Sequence, residues 1–229
     1  MKFPTSILND YLRGFPFFRG IISVWGDFGV GKTTFAIQTS MNSIKNENRI
    51  IYIYSKPIIP YEIINRLLQD SIEYLDKITF IIPNNFEDLH DIVFNLEYLI
   101  LRNLNETNNQ IALIVIDSLT DLYRLELNRE KKDKNYNLNY KLNHILATLS
   151  YLNDTYDTNI LIVNEKVQIR DKIQPTETQS GGKVMEYWVA LDIKIERTEI
   201  LKKRKFSLTK RPEDKHISFI SELTENGFL

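Results

Sequence analysis

The stretch GIISVWGDFGVGKTT, Gly20 to Thr34, sets the tightest limit on what this chain folds into. An apolar, β-branched run ends in Gly26, four residues follow, and Gly31-Lys32-Thr33 opens a segment with helical spacing. In the pattern G-x-x-x-x-G-K-[ST], glycines let successive backbone N–H groups turn inward around a phosphate. The lysine reaches the outer phosphates and the hydroxyl ligates Mg²⁺. The turn needs a strand before it and a helix after it, with the positive helix end aimed at the anion. The expected cradle is Gly26, Asp27, Phe28, Gly29, Val30, Gly31, Lys32, Thr33 and Thr34, and its expected ligand is ATP with Mg²⁺.

The remaining pattern supplies a sheet for this unit. Short β-branched runs at Arg49–Tyr54, Ile78–Ile82, Gln110–Asp117 and Asn159–Val163 read as buried strands. Between them, apolar residues at three- and four-residue spacing predict helices over Tyr61–Leu75, Phe86–Leu104 and Asn139–Leu152. Strand–helix alternation implies an α/β fold with a mostly parallel central sheet flanked by helices. After Gly182 the texture changes to ALDIKIER, RKFSLTK and HISFISEL, which alternate with no long helix between them and predict C-terminal antiparallel strands. Two polar stretches, Leu127–Asn139 and Lys166–Lys183, read as long loops, of a length that is functional or disordered in a compact domain.

Asp117 ends the most apolar strand, ALIVID. A carboxylate there can accept the water shell of Mg²⁺ while Thr33 binds the metal directly, so Thr33 and Asp117 are the candidate metal residues. Lys32 and Asp117 are also candidate catalytic residues.

Composition narrows the setting. The 229 residues suit one domain spanning 1–229. With no cysteine, a disulfide framework, a thiolate metal site and a cysteine nucleophile are excluded. No run of 18 apolar residues and no signal pattern in MKFPTSILND are found, so a cytoplasmic protein without a membrane partner is expected. The net charge is −1, yet Lys194–Lys215 carries nine Lys/Arg against four Asp/Glu, a local excess that predicts a basic surface.

Several stretches resemble the RecA/RadA recombinase superfamily, and within it the short archaeal RadB-type paralogues. They are TSILNDYLRGFPFFRGIISVWGDFGVGKTT, LIVIDSLTDLYRLEL, ILIVNEKVQ, QSGGKVMEYW and SFISELTENGF, and together they cover nearly the whole chain. The resemblance implies a RecA-like P-loop core acting in homologous recombination and DNA repair.

Three departures from the family pattern bear on mechanism. Family members end the strand after the cradle helix in a glutamate that orients the attacking water, in a run like Y-I-D-T-E. Here the matching run is YIYSKP, with Lys56 at the glutamate position and Tyr54 at the aspartate, and no acid lies between Asn48 and Glu62. A charged lysine is no base, so weak or absent ATP hydrolysis is expected. At the second departure, Glu165 replaces the glutamine that follows the family's sensor asparagine. Its open readings are water activation, a pair with Lys56, or a polar strand cap. Third, only about twenty residues precede the first strand and no Phe-x-x-Ala occurs, so a helix-hairpin-helix domain and long self-filaments are not expected.

The resemblance also implies two DNA-facing loops. Their counterparts hold Arg129, Lys131, Lys132 and Lys134, with Tyr136, and Arg170 and Lys172. The dense run Lys202, Lys203, Arg204 and Lys205 is a further candidate, expected at a hairpin turn, and Lys210 and Arg211 could reach a neighbour's nucleotide. The implied partners are single-stranded DNA, held weakly and in a salt-sensitive way, and a recombinase or related paralogue. The alternatives are an active DNA-dependent ATPase of the same fold, a KaiC-like ATP-binding regulator acting through a protein partner, and a scaffold without turnover.

Overall fold

The computed structural model describes residues 1–15, 18–44, 48–67, 72–107, 110–128, 130, 132–169, 176–210 and 217–229. Helix α1 (Ser6–Arg13) precedes strand β1 (Ile21–Gly26), the cradle and helix α2 (Lys32–Ser43). Strand β2 (Arg49–Tyr54), α3 (Tyr61–Leu67), β3 (Ile78–Ile81), α4 (Phe86–Phe94), α5 (Leu96–Thr107) and β4 (Ile111–Asp117) follow. Next come α6 (Leu119–Glu126), α7 (Lys132–Tyr156), β5 (Asn159–Ile169), β6 (Thr176–Gln179) and α8 (Gly182–Trp188). The chain closes with β7 (Val189–Arg197), β8 (Lys203–Lys210), β9 (Ser218–Thr224) and β10 (Gly227–Phe228).

One sheet runs in the order β10-β9-β8-β7-β1-β5-β4-β2-β3, with β6 paired to β5. From β7 to β3 every neighbour is parallel, while β8, β9 and β10 add antiparallel. The α/β class, the mostly parallel sheet and the antiparallel C-terminal strands therefore match the sequence expectation. The period of two along each buried strand divides the core into two layers. Leu113, Val115, Leu161 and Val163 join one cluster with Phe35 of α2; Ile114, Ile116, Ile160 and Ile162 join the other with Leu142 and Leu146 of α7. Both faces are covered, which is why these strands read as unbroken apolar runs.

Helix α2 is held from the C-terminal side. Phe35 packs against Phe3, Phe206 and Phe228 at ring-centre distances of 5.6, 5.7 and 6.0 Å. Gln38 clamps the last strand, donating to Phe228 O at 3.0 Å and accepting from Phe228 N at 2.8 Å. The antiparallel strands thus brace the helix that opens the cradle.

Four element boundaries differ from expectation. The helix expected over Phe86–Leu104 breaks at Asn95, whose side chain donates to Asp91 O at 2.7 Å and competes with the helical ladder. Of the helix expected over Tyr61–Leu75, Tyr61–Leu67 is helical, residues 68–71 lie outside the described residues, and Ile72–Lys77 winds as a 3₁₀ turn, a tight connector that feeds β3. The expected loop Leu127–Asn139 is mostly helix, because α7 begins at Lys132 and Asn135 exchanges two hydrogen bonds with the Asn128 backbone across the short connection. The expected loop after Lys166 is instead a hairpin, with β5 continuing to Ile169 and pairing Lys166 with Gln179.

Beneath that hairpin lies a buried polar chain. Gln179 Oε1 accepts from Ser23 Oγ (2.6 Å) and Asn164 Nδ2 (2.9 Å), and Gln179 Nε2 donates to Asp192 Oδ1 (2.6 Å). Burial pushes the Asp192 carboxyl from 3.8 up to about 6, against the pull of Ser23, Lys210 and Gln179. Because the folded state holds this proton where the unfolded chain releases it, stability falls as pH rises between those two values and is flat above them. An Asp192→Asn variant is expected to remove this slope. It should gain about 2 kcal/mol near neutral pH, after discounting for partial exposure, read from urea unfolding at pH 4 and pH 7.

Candidate nucleotide site

β1 lies between β5 and β7, and its last residue, Gly26, has no room for a side chain: a Cβ would stand 2.1 Å from Ile195 O. Gly31 takes φ +103°, a left-handed conformation, and a Cβ there would meet Phe228 at 2.9 Å. These two constraints, close approach at Gly26 and a left-handed φ at Gly31, explain why the sequence has glycine at both ends of the turn. α2 begins at Lys32, one residue before the expected start.

The Lys32 side chain is almost wholly buried. Its ammonium donates to Gly26 O at 3.0 Å, Asp27 O at 2.8 Å and Glu165 Oε2 at 2.8 Å. Glu165 comes into reach because Gly26 is its register partner across β1 and β5. Of the readings open for Glu165, the structure pairs it with Lys32 rather than Lys56.

Asp117 is fully buried at the end of β4. Its Oδ2 accepts from Tyr52 Oη at 3.1 Å, while Oδ1 receives no hydrogen bond and faces the Lys56 ammonium at 3.3 Å. The Asp117–Ser118 peptide is cis. Lys56 Nζ also lies 3.4 Å from Thr33 Oγ1, so it stands between the two candidate metal residues. Register explains the meeting: Tyr54 pairs with Asp117, and Ser55 N donates to Asp117 O at 2.8 Å, which leaves Lys56 at the strand end beside the carboxylate. Burial pulls the Lys56 ammonium down, but the fields of Asp117, Asp121, Tyr54 and Glu165 outweigh it and hold the group above its ordinary value. Lys56 is therefore a cation throughout the neutral range. Burial, then Asp117, pushes the Tyr52 and Tyr54 phenols up, so both stay neutral donors.

Phe28, Gly29, Gly31, Lys32, Thr33, Thr34, Tyr54, Lys56, Pro60, Ile63, Glu165 and Leu223 line an open cavity of about 340 Å³. Of the expected cradle, Gly26, Asp27 and Val30 are not part of this lining, Asp27 being exposed and the other two buried. Arg197 donates to Phe28 O at 3.0 Å and Arg204 to Val30 O at 3.2 Å, so β7 and β8 bolt down the loop. The chain carries Asp27, Lys166, Glu177, Lys194 and Glu196 in one ladder of ion pairs from the cradle across the β5–β6 hairpin, each contact between 2.7 and 2.9 Å.

The candidate DNA residues fare differently. Lys132 and Lys134 are exposed at the start of α7, Lys202, Lys203 and Lys205 are exposed about the β7–β8 turn, and Arg204 spends donors on Val30, Leu201 and Lys203 backbone oxygens. Arg129, Lys131, Arg170, Lys172 and Arg211 lie outside the described residues. Sequence reasoning missed Tyr52, Arg197 and the Gln179 chain, since each acts through a strand neighbour distant in sequence.

The model of the Rad51 family matches residues 6–204. The chain belongs to the Rad51 family. Among similar proteins is the DNA repair and recombination protein RadB of Methanococcus maripaludis strain C5, 32% identical over 86% of this chain and 85% of that one. The RadB of Methanocaldococcus jannaschii is 32% identical over 78% of this chain and 79% of its own length, and that of Methanosphaera stadtmanae 26% over 99% and 94%. In this Rad51-family chain the cradle's own lysine is paired with Glu165. Glu165→Gln is expected to tighten nucleotide binding about tenfold, since the neutral amide neither holds Lys32 as firmly nor repels phosphate. The free protein should lose about 1–3 kcal/mol because a buried cation loses its counter-charge, and both changes are readable by thermal shift with and without nucleotide.

Proposed function

We propose that this chain is an ATP-binding recombinase paralogue that assists homologous recombination and DNA repair and holds ATP with little or no hydrolysis. The observation that carries the reading is Lys56. The ammonium stands at the position where the resembled family has its water-orienting glutamate, 3.3 Å from Asp117 and 3.4 Å from Thr33. It adds positive charge beside the triphosphate's place and takes no proton from water.

The cradle fits a nucleotide. Gly26 and Gly31 leave the backbone bare, Lys32 is poised at the turn, and the first turn of α2 offers its N–H groups to an anion. Mg²⁺ fits less well, since the space between Thr33 and Asp117 already holds a fixed positive charge. Bound ATP supplies a reactive phosphoanhydride; Lys32 and the cradle bind it, and Lys56 leaves water unactivated.

DNA is the partner that the exposed face of α7 suits. Lys132 and Lys134 are followed by Tyr136 and Tyr140, which stand one helical turn apart and are 74% and 66% exposed. Cations beside aromatic faces are what single-stranded nucleic acid needs. A recombinase or related paralogue is the proposed protein partner, in keeping with the printed role of the RadB relatives.

The deciding series measures nucleotide affinity, then ATP turnover with and without single-stranded DNA, for wild type and Lys56→Glu. Tight binding with negligible turnover that Lys56→Glu restores is the expected result; vigorous wild-type turnover refutes it. Replacing both Tyr136 and Tyr140 by Ala is expected to weaken single-stranded DNA binding by about tenfold or more in a filter or anisotropy assay. No DNA binding by wild type at low salt would favour a regulator that acts on a protein.

A further inference from the structure

We propose that the Lys56 ammonium takes the place of the divalent cation in this site, so that the chain binds a nucleoside triphosphate that carries no Mg²⁺. The inference rests on the nucleotide-binding reading above and deepens it.

Position comes first. In a phosphate cradle of this kind the threonine hydroxyl and the carboxylate at the end of the neighbouring strand are the groups that hold the metal and its water. Here Lys56 Nζ lies 3.4 Å from that hydroxyl and 3.3 Å from that carboxylate. Mg²⁺ demands six oxygens at about 2.0–2.1 Å in near-octahedral array. An ammonium this close to both protein groups stands inside the volume such a shell needs, and its charge repels the ion itself.

Charge balance comes second. Asp117 is wholly buried and its Oδ1 has no hydrogen-bond donor, so Lys56 is the counter-ion at that oxygen. Lys32 is matched with Glu165 in the same way. Each of the two ammonium groups already faces a carboxylate, and Asp121 lines a cavity beside Lys56. A triphosphate that displaces Glu165 from Lys32 meets a second fixed cation at Lys56.

The third observation is fixation. Lys56 follows Ser55, whose N–H is bonded to Asp117 O, and its side chain is only 25% exposed. A tethered ammonium costs no entropy of capture, whereas a dissolved metal does.

The test is an equilibrium titration with a mant-labelled ATP, in EDTA and in millimolar Mg²⁺, on the full chain. Wild type and Lys56→Arg are expected to bind with affinities that agree within about threefold between the two buffers. Lys56→Met should lose about tenfold or more in EDTA and regain it with Mg²⁺, as Thr33 and Asp117 become free to take the metal. A wild-type protein that needs Mg²⁺ for binding overturns the inference and leaves the nucleotide reading intact. Lys56→Met that binds equally in both buffers overturns it too. Absence of binding in either buffer refutes both readings. Should Lys56→Met fail to fold, the wild-type pair of titrations decides by itself.

Discussion

The arrangement of the site depends on one buried charge. Asp117 has no exposed surface, and a carboxylate in that position is tolerated only if something positive or donating answers it. Tyr52 answers one oxygen through its hydroxyl and Lys56 answers the other through its charge. Tyr52 lies in β2 and Lys56 two residues past its end; β2 runs parallel to β4 on the side away from β5. Every other feature of the mouth follows from that placement. Lys56 is pinned at the strand end, Thr33 faces it, and Lys32 is left to find its own acid across the sheet.

That acid is Glu165, and the reason is register. Because β1 pairs in parallel with β5, its last residue, Gly26, lies beside Glu165, and the two are neighbours despite their distance in sequence. From there the ion ladder continues outward through Lys166 and Glu177 to Lys194. Paired hydrogen bonds to Asp27 and Glu177 hold the Lys166 ammonium above its ordinary range, so the rung nearest the cradle stays charged. The same strand therefore carries a group that guards the phosphate site and the base of a hairpin that projects from it. Movement of Lys32 away from Glu165 changes the charge next to that hairpin without any long-range rearrangement of the sheet.

Local pattern was enough to read much of this. The β-branched runs gave the parallel strands, because strands buried on both faces need no alternation and leave a plain apolar signature. The cradle was legible because its glycines answer a steric need that only glycine meets, at Gly26 by close approach and at Gly31 by φ. Asp117 was legible as an acid closing such a strand. Illegible were the features that depend on what stands beside a residue after folding. Lys56 could be placed opposite the family's glutamate, but its bond to Asp117 required the β2–β4 register. Asn95 looked like one more polar position in a helix until its side chain reached back to Asp91. The charged start of α7 read as loop because Leu138 is the first of its residues to be buried, and a helix with a solvated first turn and a half carries little periodic signal.

Retaining a cradle while replacing the acid with an ammonium has a definite physical consequence. A site built for turnover needs charge that stabilises the leaving phosphates and a group that orients water, and the two demands fall on different residues. On the reading proposed above, Lys56 serves the first and leaves the second without a group. Charge compensation of Asp117 also makes the substitution self-consistent: an acid at position 56 would set two carboxylates against each other in a buried pocket and would require a metal to reconcile them. The ammonium removes that requirement. On the reading proposed above, holding a nucleotide and hydrolysing it are separated by one side chain, and that side chain is fixed by the same buried carboxylate that an active site of this architecture would use for its metal.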